Sequence, residues 1–222
     1  MPDAGYSLWA TRAREAAARL PELPSFAGAC SGERERLFRE LGYTFWNREL
    51  VDGMAARCRK EGPLRWVELA AGTGRWTAEM ARRGLSAGAT DDYSQAPERV
   101  RSHQRAIRYG DWVGKLSARD AVAQLRPDGV FCAWPPLGSG LVPDLLAGDL
   151  SGSETLRLVV CIGEPGGATE APTVAEELPE GWGLEAWPEC EACLVGFNDP
   201  PPAPGWRSHS RLLVYRRVGF KR

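Results

Sequence analysis

The chain has 222 residues, 43% apolar and 26% charged, with a formal net charge of −1. That length suits one α/β domain with a short N-terminal appendage. Balanced charge offers no basic patch of the kind phosphate neutralisation demands, and no run approaches the ~20 apolar residues of a membrane helix, so nucleic-acid and membrane partners are both disfavoured.

The first segment with a pattern is Trp9 to Leu20, rich in Ala and Arg (Arg12, Arg14, Arg19). Asp3 and Glu15 sit poorly in an acid-poor targeting signal, so it reads as an amphipathic surface helix, and a cytoplasmic location is expected. Pro21 and Pro24 break it. Residues 33–60 read as one or two helices with Leu37, Leu41, Phe45, Leu50 and Met54 on the apolar side. Residues 1–60 are therefore expected to form a helical segment that packs on or caps the site of a main domain spanning 61–222.

From residue 64 short apolar runs alternate with helical stretches. The runs are Leu64 to Ala70, Gly84 to Thr90, Ala106 to Tyr109, Gly129 to Trp134, Leu156 to Gly163 and Arg211 to Tyr215. Helices are predicted over Arg75 to Arg83, Gln95 to Arg105 and Ala118 to Leu125. This alternation predicts a Rossmann-like, doubly wound α/β sheet, mostly parallel with an antiparallel C-terminal strand, and helices on both faces. In such sheets a ligand sits beyond the carboxyl ends of the strands, where strand order reverses. The Pro-rich stretch Gly181 to Trp206 reads as loop.

Six cysteines are scattered through the chain: Cys30, Cys58, Cys132, Cys161, Cys190 and Cys193. Cys132 and Cys161 fall inside apolar runs, where a thiol behaves as a small hydrophobe. Cys190 and Cys193 form a single CxxC, and the two histidines, His103 and His209, lack partner spacing. No metal site is expected.

The segment with chemistry is Val67-Glu68-Leu69-Ala70-Ala71-Gly72-Thr73-Gly74-Arg75-Trp76, which follows the first strand and opens a helix. It is not a Walker A loop, because no Lys-Ser/Thr follows the glycines. Nor does it complete the dinucleotide fingerprint, whose third glycine is replaced by Thr77. An acidic residue at the strand end, followed by small residues and glycines, suits a ligand that carries positive charge and no phosphates. An NAD-dependent oxidoreductase and a non-catalytic binding module remain the alternatives.

Glu68-Leu69-Ala70-Ala71-Gly72-Thr73-Gly74 resembles the first motif of class I S-adenosylmethionine-dependent methyltransferases, with Ala70 where the family usually has glycine. The resemblance implies S-adenosyl-L-methionine as cofactor, held around Glu68, Leu69, Ala70, Gly72, Gly74 and Trp76. Asp91, 17 residues after Gly74, stands at the family's ribose-binding carboxylate, next to Asp92 and Tyr93. Gly110-Asp111-Trp112 follows the predicted third strand. There the resemblance implies that Asp111 accepts from the adenine amino group and that Trp112 or Tyr93 covers the ring.

Downstream, Trp134-Pro135-Pro136, Glu164 ahead of a Gly-Gly, and the terminal run from His209 resemble a group of Rossmann-like methyltransferases with Trp-Pro-Pro and Val-Gly-Glu turns. The resemblance extends from about Tyr43 to Arg217. Trp134 faces the point where a methyl group would leave; it is either a stacking wall or core packing beneath the cofactor. Glu164 would hold a substrate cation, act as a base, or cap a helix, and His209 is a second base candidate. Tyr43 and Trp46 lie in a segment expected to fold over the site, so Tyr43, Trp46, Trp134, Pro135 and Glu164 are the expected substrate contacts. Near-neutral charge favours a small-molecule acceptor over nucleic acid.

Overall fold

The computed structural model describes residues 3–27, 44–62, 64–96, 107–135, 138–165, 169, 171, 173–174, 177–196, 199 and 208–219, with side chains from residue 6 onward. The first half holds α1 (Asp3–Arg19), α2 (Arg48–Lys60), β1 (Trp66–Glu68), α3 (Arg75–Arg82), β2 (Ala87–Asp91), β3 (Val113–Lys115) and α4 (Ala118–Leu125). The second holds β4 (Gly129–Ala133), α5 (Leu141–Ala147), β5 (Leu158–Gly163), β6 (Trp182–Glu185), α6 (Pro188–Glu191) and β7 (Arg211–Arg217).

The strands form one sheet in the order β3-β2-β1-β4-β5-β7-β6. Strands β1 to β5 pair in parallel, whereas β7 runs antiparallel to both β5 and β6. This is the Rossmann-like sheet the alternation predicted, antiparallel C-terminal strand included. The strand order reverses between β1 and β4, which opens the crevice typical of this topology above their carboxyl ends.

β5 is a continuous apolar run buried along its whole length, as a strand covered on both faces must be. Alternate residues feed two separate cores. Phe131, Val160, Ile162 and Val214 meet α2, α3 and α6 on one face. Val130, Cys132, Val159, Cys161 and Tyr215 meet α4 and α5 on the other, with Tyr6 and Ala10 of α1. Helix starts follow local chemistry. Asn47 accepts from the Leu50 N–H at 2.9 Å to begin α2, and Ser117 accepts from the Asp120 N–H at 3.1 Å to begin α4.

Helix α1 is clipped to the amino ends of the strands. The Tyr6 hydroxyl donates to Ser86 O at 2.8 Å and accepts from the Trp66 N–H at 3.1 Å. Its Trp9 lies across β2 and β3, so close that a Cβ on Gly114 would come within 2.6 Å of the indole.

Two expectations are corrected. The third strand is Val113–Lys115, not Ala106 to Tyr109. Ile107 and Tyr109 alternate like strand residues, but both belong to an irregular segment whose side chains turn into a pocket. The true strand is only three residues long and carries Gly114, so it leaves no apolar run to read. Gly181 to Trp206 is not all loop, since it contains β6 and α6. The predicted helix over Gln95 to Arg105 lies mostly outside the described residues, as do Leu37 and Leu41.

Candidate functional site

A pocket of about 250 Å³ opens above the carboxyl ends of β1, β2, β3 and β4. Three of the strand ends that form it are bent in an unusual way. Ala70 after β1 has φ 50°, Tyr93 after β2 has φ 61° and Trp134 after β4 has φ 54°. Left-handed backbone in non-glycine residues costs on the order of 1 kcal/mol or more each, and such outliers gather at functional sites. Ala70 occupies the place where a glycine would carry no such cost.

The Gly-rich turn is held from two sides. Gly74 has φ 70°, and a Cβ there would come within 2.6 Å of the Trp112 indole, whose Nε1 donates to Gly74 O at 3.0 Å. From the other side, Asp91 Oδ2 accepts from the Gly72 N–H and Oδ1 from the Tyr93 N–H, both at 2.9 Å. One carboxylate thus ties the first turn to the second. Burial raises the Asp91 carboxyl above its ordinary value, against the pull of those two N–H donors.

Beneath the turn lies Glu68, 3% exposed. Its Oε2 accepts from the Thr77 N–H at 3.1 Å and from the Thr77 hydroxyl at 2.7 Å. Burial pushes this carboxyl up to about 8, and the neighbouring charge of Asp91 adds to the shift while the Thr77 bonds oppose it. At neutral pH Glu68 is therefore mostly protonated until a positive charge arrives beside it.

Glu68, Ala70, Gly72, Asp91, Asp92, Trp46 and Trp134, all expected site residues, line this pocket. Sequence reasoning missed Thr44, Ser94, Gln95, Ile107, Tyr109, Leu116, Ala118, Ser139 and Leu141. Tyr109 stacks on Tyr93 with ring centroids 4.0 Å apart and 5° between planes, and the Tyr93 hydroxyl donates to Val113 O at 2.7 Å. Tyr93 thus braces the pocket wall from behind.

Other expected residues are placed elsewhere. Leu69 is buried in the core on the far face of the sheet. Trp76 is fully buried and stacks on Phe131 at 4.2 Å, below the pocket floor. Gly110, Asp111 and Trp112 precede β3 instead of following a strand, because the strand begins at Val113. Asp111 is 71% exposed and pairs with Arg19 of α1 at 3.2 Å, so the adenine-binding place implied for it is not where the structure puts it. The signal for the true strand end was Leu116-Ser117-Ala118 with Asp120, a helix start after an unreadably short strand.

Pro135 is buried but does not line the pocket, and neither does Glu164, whose N–H donates to the Thr169 hydroxyl at 3.2 Å. His209 is 64% exposed, with Nδ1 3.8 Å from the buried Asp199 carboxylate. Tyr43 lies outside the described residues. Cys190 is buried against Gly53 of α2, and Cys193 is half-buried.

The segment before α2 reaches the pocket by a long-range attachment. The Phe45 N–H donates to Val195 O at 2.9 Å, Thr44 pairs with Gly196, and Asn47 Nδ2 donates to Cys193 O at 2.8 Å. Trp46 then packs edge-on against Phe131, 5.8 Å between centroids. Among the described residues no helix is long and apolar enough to cross a membrane.

A scan against protein-family models finds no match, and neither does a comparison with curated proteins. Solved structures do match. A putative methyltransferase, yhhF, from Escherichia coli is 18% identical, with 76% of this chain and 85% of that one covered and a TM-score of 0.42. Magnesium protoporphyrin IX methyltransferase from Synechocystis PCC 6803, with bound SAM, is 15% identical over 86% of this chain and 94% of that one, TM-score 0.44. Burkholderia thailandensis 1,6-didemethyltoxoflavin-N1-methyltransferase, with S-adenosylhomocysteine and its substrate bound, is 18% identical over 77% and 79%, TM-score 0.40.

Proposed function

We infer that the chain binds S-adenosyl-L-methionine in this pocket and transfers its methyl group to a small molecule. The observation that carries the reading is the charge of the pocket. The charged side chains described along it are three carboxyls, Glu68, Asp91 and Asp92. A dinucleotide would bring its diphosphate to the start of α3, where the buried Glu68 already takes the Thr77 N–H that would have to donate to it. A cationic amino acid and a ribose diol suit the same groups.

The residues fit such a ligand part by part. Asp91 and Asp92 would accept from the ribose hydroxyls, Asp91 with the acceptor capacity left beyond the bonds it takes from the Gly72 and Tyr93 N–H groups and the Tyr109 hydroxyl. Ile107, Leu116 and Tyr109 would cover a flat base. Glu68, Ala70 and Gly72 would hold the methionine end, Glu68 giving up its proton as the cation is bound. Trp46 and Trp134 would face the acceptor. When bound, S-adenosylmethionine supplies a methyl carbon already activated by its sulfonium, so the protein's task is alignment and exclusion of water. The left-handed turns at Ala70 and Trp134 would bring backbone and indole towards that place.

Calorimetric titration with S-adenosylmethionine, S-adenosylhomocysteine and NAD tests the reading. Micromolar binding of the first two is expected, with a loss of about 100-fold in Asp91→Ala, since two charge-assisted bonds that shape the turn disappear with the ribose acceptor. Preference for NAD, or no binding, would overturn it.

A further inference from the structure

The wall of the pocket opposite the carboxyls is made by Thr44, Trp46, Ala133, Trp134, Ser139 and Leu141. The Ser139 hydroxyl is engaged, accepting from the Leu141 N–H at 3.4 Å. Thr44 is different. It is 1% exposed, and its Oγ1 makes no hydrogen bond among the described residues. A buried hydroxyl left unpaired carries its full desolvation cost, and pairing with Gly196 on a strap anchored to Val195 and Cys193 prevents the residue from turning out to water.

We propose that Thr44 is a specificity-determining residue of an acceptor subsite for a flat, uncharged aromatic molecule, whose ring-edge heteroatom pairs with the Thr44 hydroxyl between the indoles of Trp46 and Trp134. Two indoles and two aliphatic side chains give a wall that rewards flat apolar area, and the buried Thr44 hydroxyl, without a partner among the described residues, selects a hydrogen-bonding atom on the ligand. A different atom of the ring system takes the methyl group. An anionic acceptor is disfavoured because the only charged side chains among the described lining of the pocket are carboxyls. The inference rests on the cofactor reading above for its acceptor role, but not for its chemistry of recognition.

Quinoline and naphthalene, nearly identical in shape and differing by one ring nitrogen, are the probes. Their binding to the full chain is measured by ligand-observed saturation-transfer NMR, with and without S-adenosylhomocysteine. Wild type is expected to bind quinoline about tenfold more tightly than naphthalene, the worth of one hydrogen bond to an otherwise unpaired group. Thr44→Val, which keeps the shape, should bind both alike, retain the wild-type affinity for S-adenosylhomocysteine, and melt no lower than wild type because an unpaired hydroxyl has been removed. Trp134→Leu should weaken both probes equally. Equal binding of the two probes to wild type, binding of neither, or loss of S-adenosylhomocysteine affinity in Thr44→Val overturns the proposal. If S-adenosylhomocysteine fails to bind wild type while the probes still discriminate, the methyltransferase reading falls and the aromatic subsite stands.

Discussion

The two walls of the pocket are held by opposite means. On the carboxyl side, Glu68 and Asp91 end β1 and β2 and Asp92 comes next, and the bonds that shape this wall span at most 19 residues of chain: Glu68 to Thr77, Asp91 to Gly72 and Tyr93. On the indole side, Trp46 and Thr44 are positioned by a segment about 150 residues away, through Asn47 to Cys193 and Phe45 to Val195. The first wall is polar and carries the cost of buried carboxyls; the second is apolar and carries, among the described residues, the Thr44 hydroxyl without a partner and a left-handed Trp134. One wall is written into strand ends, and the other is borrowed from distant chain.

The sharpest way to probe this contrast is pH. Glu68 has its carboxyl raised from the ordinary 4.5 to about 8 in the folded chain. Between those values the unfolded chain has released a proton that the folded chain keeps, so unliganded stability falls as pH rises from about 5 to about 8 and levels beyond. The loss should amount to several kcal/mol, with the raised Asp91 adding in the same direction at the acid end. Thermal melts of Glu68→Gln against wild type should show most of this slope vanish. S-adenosylhomocysteine affinity of wild type should rise over the same range, as the ionised form that a cation prefers becomes free to form, and an unchanged slope in the variant would remove Glu68 from the account.

Asn47→Ala should break the indole wall and spare the carboxyl wall. It removes a helix cap and two donated bonds, to Cys193 O and Phe45 O, for a cost of roughly 3 kcal/mol in chemical denaturation. Affinity for S-adenosylhomocysteine in the folded fraction should change less than threefold; a larger drop would show that the two walls are coupled. Ala70→Gly should act in the other direction, raising stability by about 1 kcal/mol or slightly less, because relief of the left-handed turn exceeds the extra chain entropy of glycine. Asp111→Ala should do least. Its exposed pair with Arg19 is worth below about 0.5 kcal/mol, and cofactor affinity measured by calorimetry should not move.

The same contrast explains what could be read in advance. Glu68, Gly72 and Asp91 were legible because a strand end, a tight turn and a helix start are neighbours in the chain. Asp111 was misplaced by one error of register. The alternation of Ile107 and Tyr109 imitates a strand, while Val113-Gly114-Lys115 is too short to show one, so Asp111 was set after a strand it actually precedes. Trp76 was assigned to the cofactor from its place in the motif, yet helical geometry turns it down onto Phe131. Thr44 carries no signal at all, since an isolated threonine before a tryptophan has many bland explanations.

By itself the sequence determined the class of sheet, the pocket at its carboxyl edge and the acidic residues of one wall, because these depend on local periodicity and on residues at strand ends. Only the tertiary structure decided which aromatic side chains face the pocket, which carboxyl is buried enough to hold its proton, and that the chain before α2 closes the site by resting on residues 193–196. Burial and long-range pairing depend on what the rest of the chain places alongside a residue, and no stretch of sequence carries that information alone.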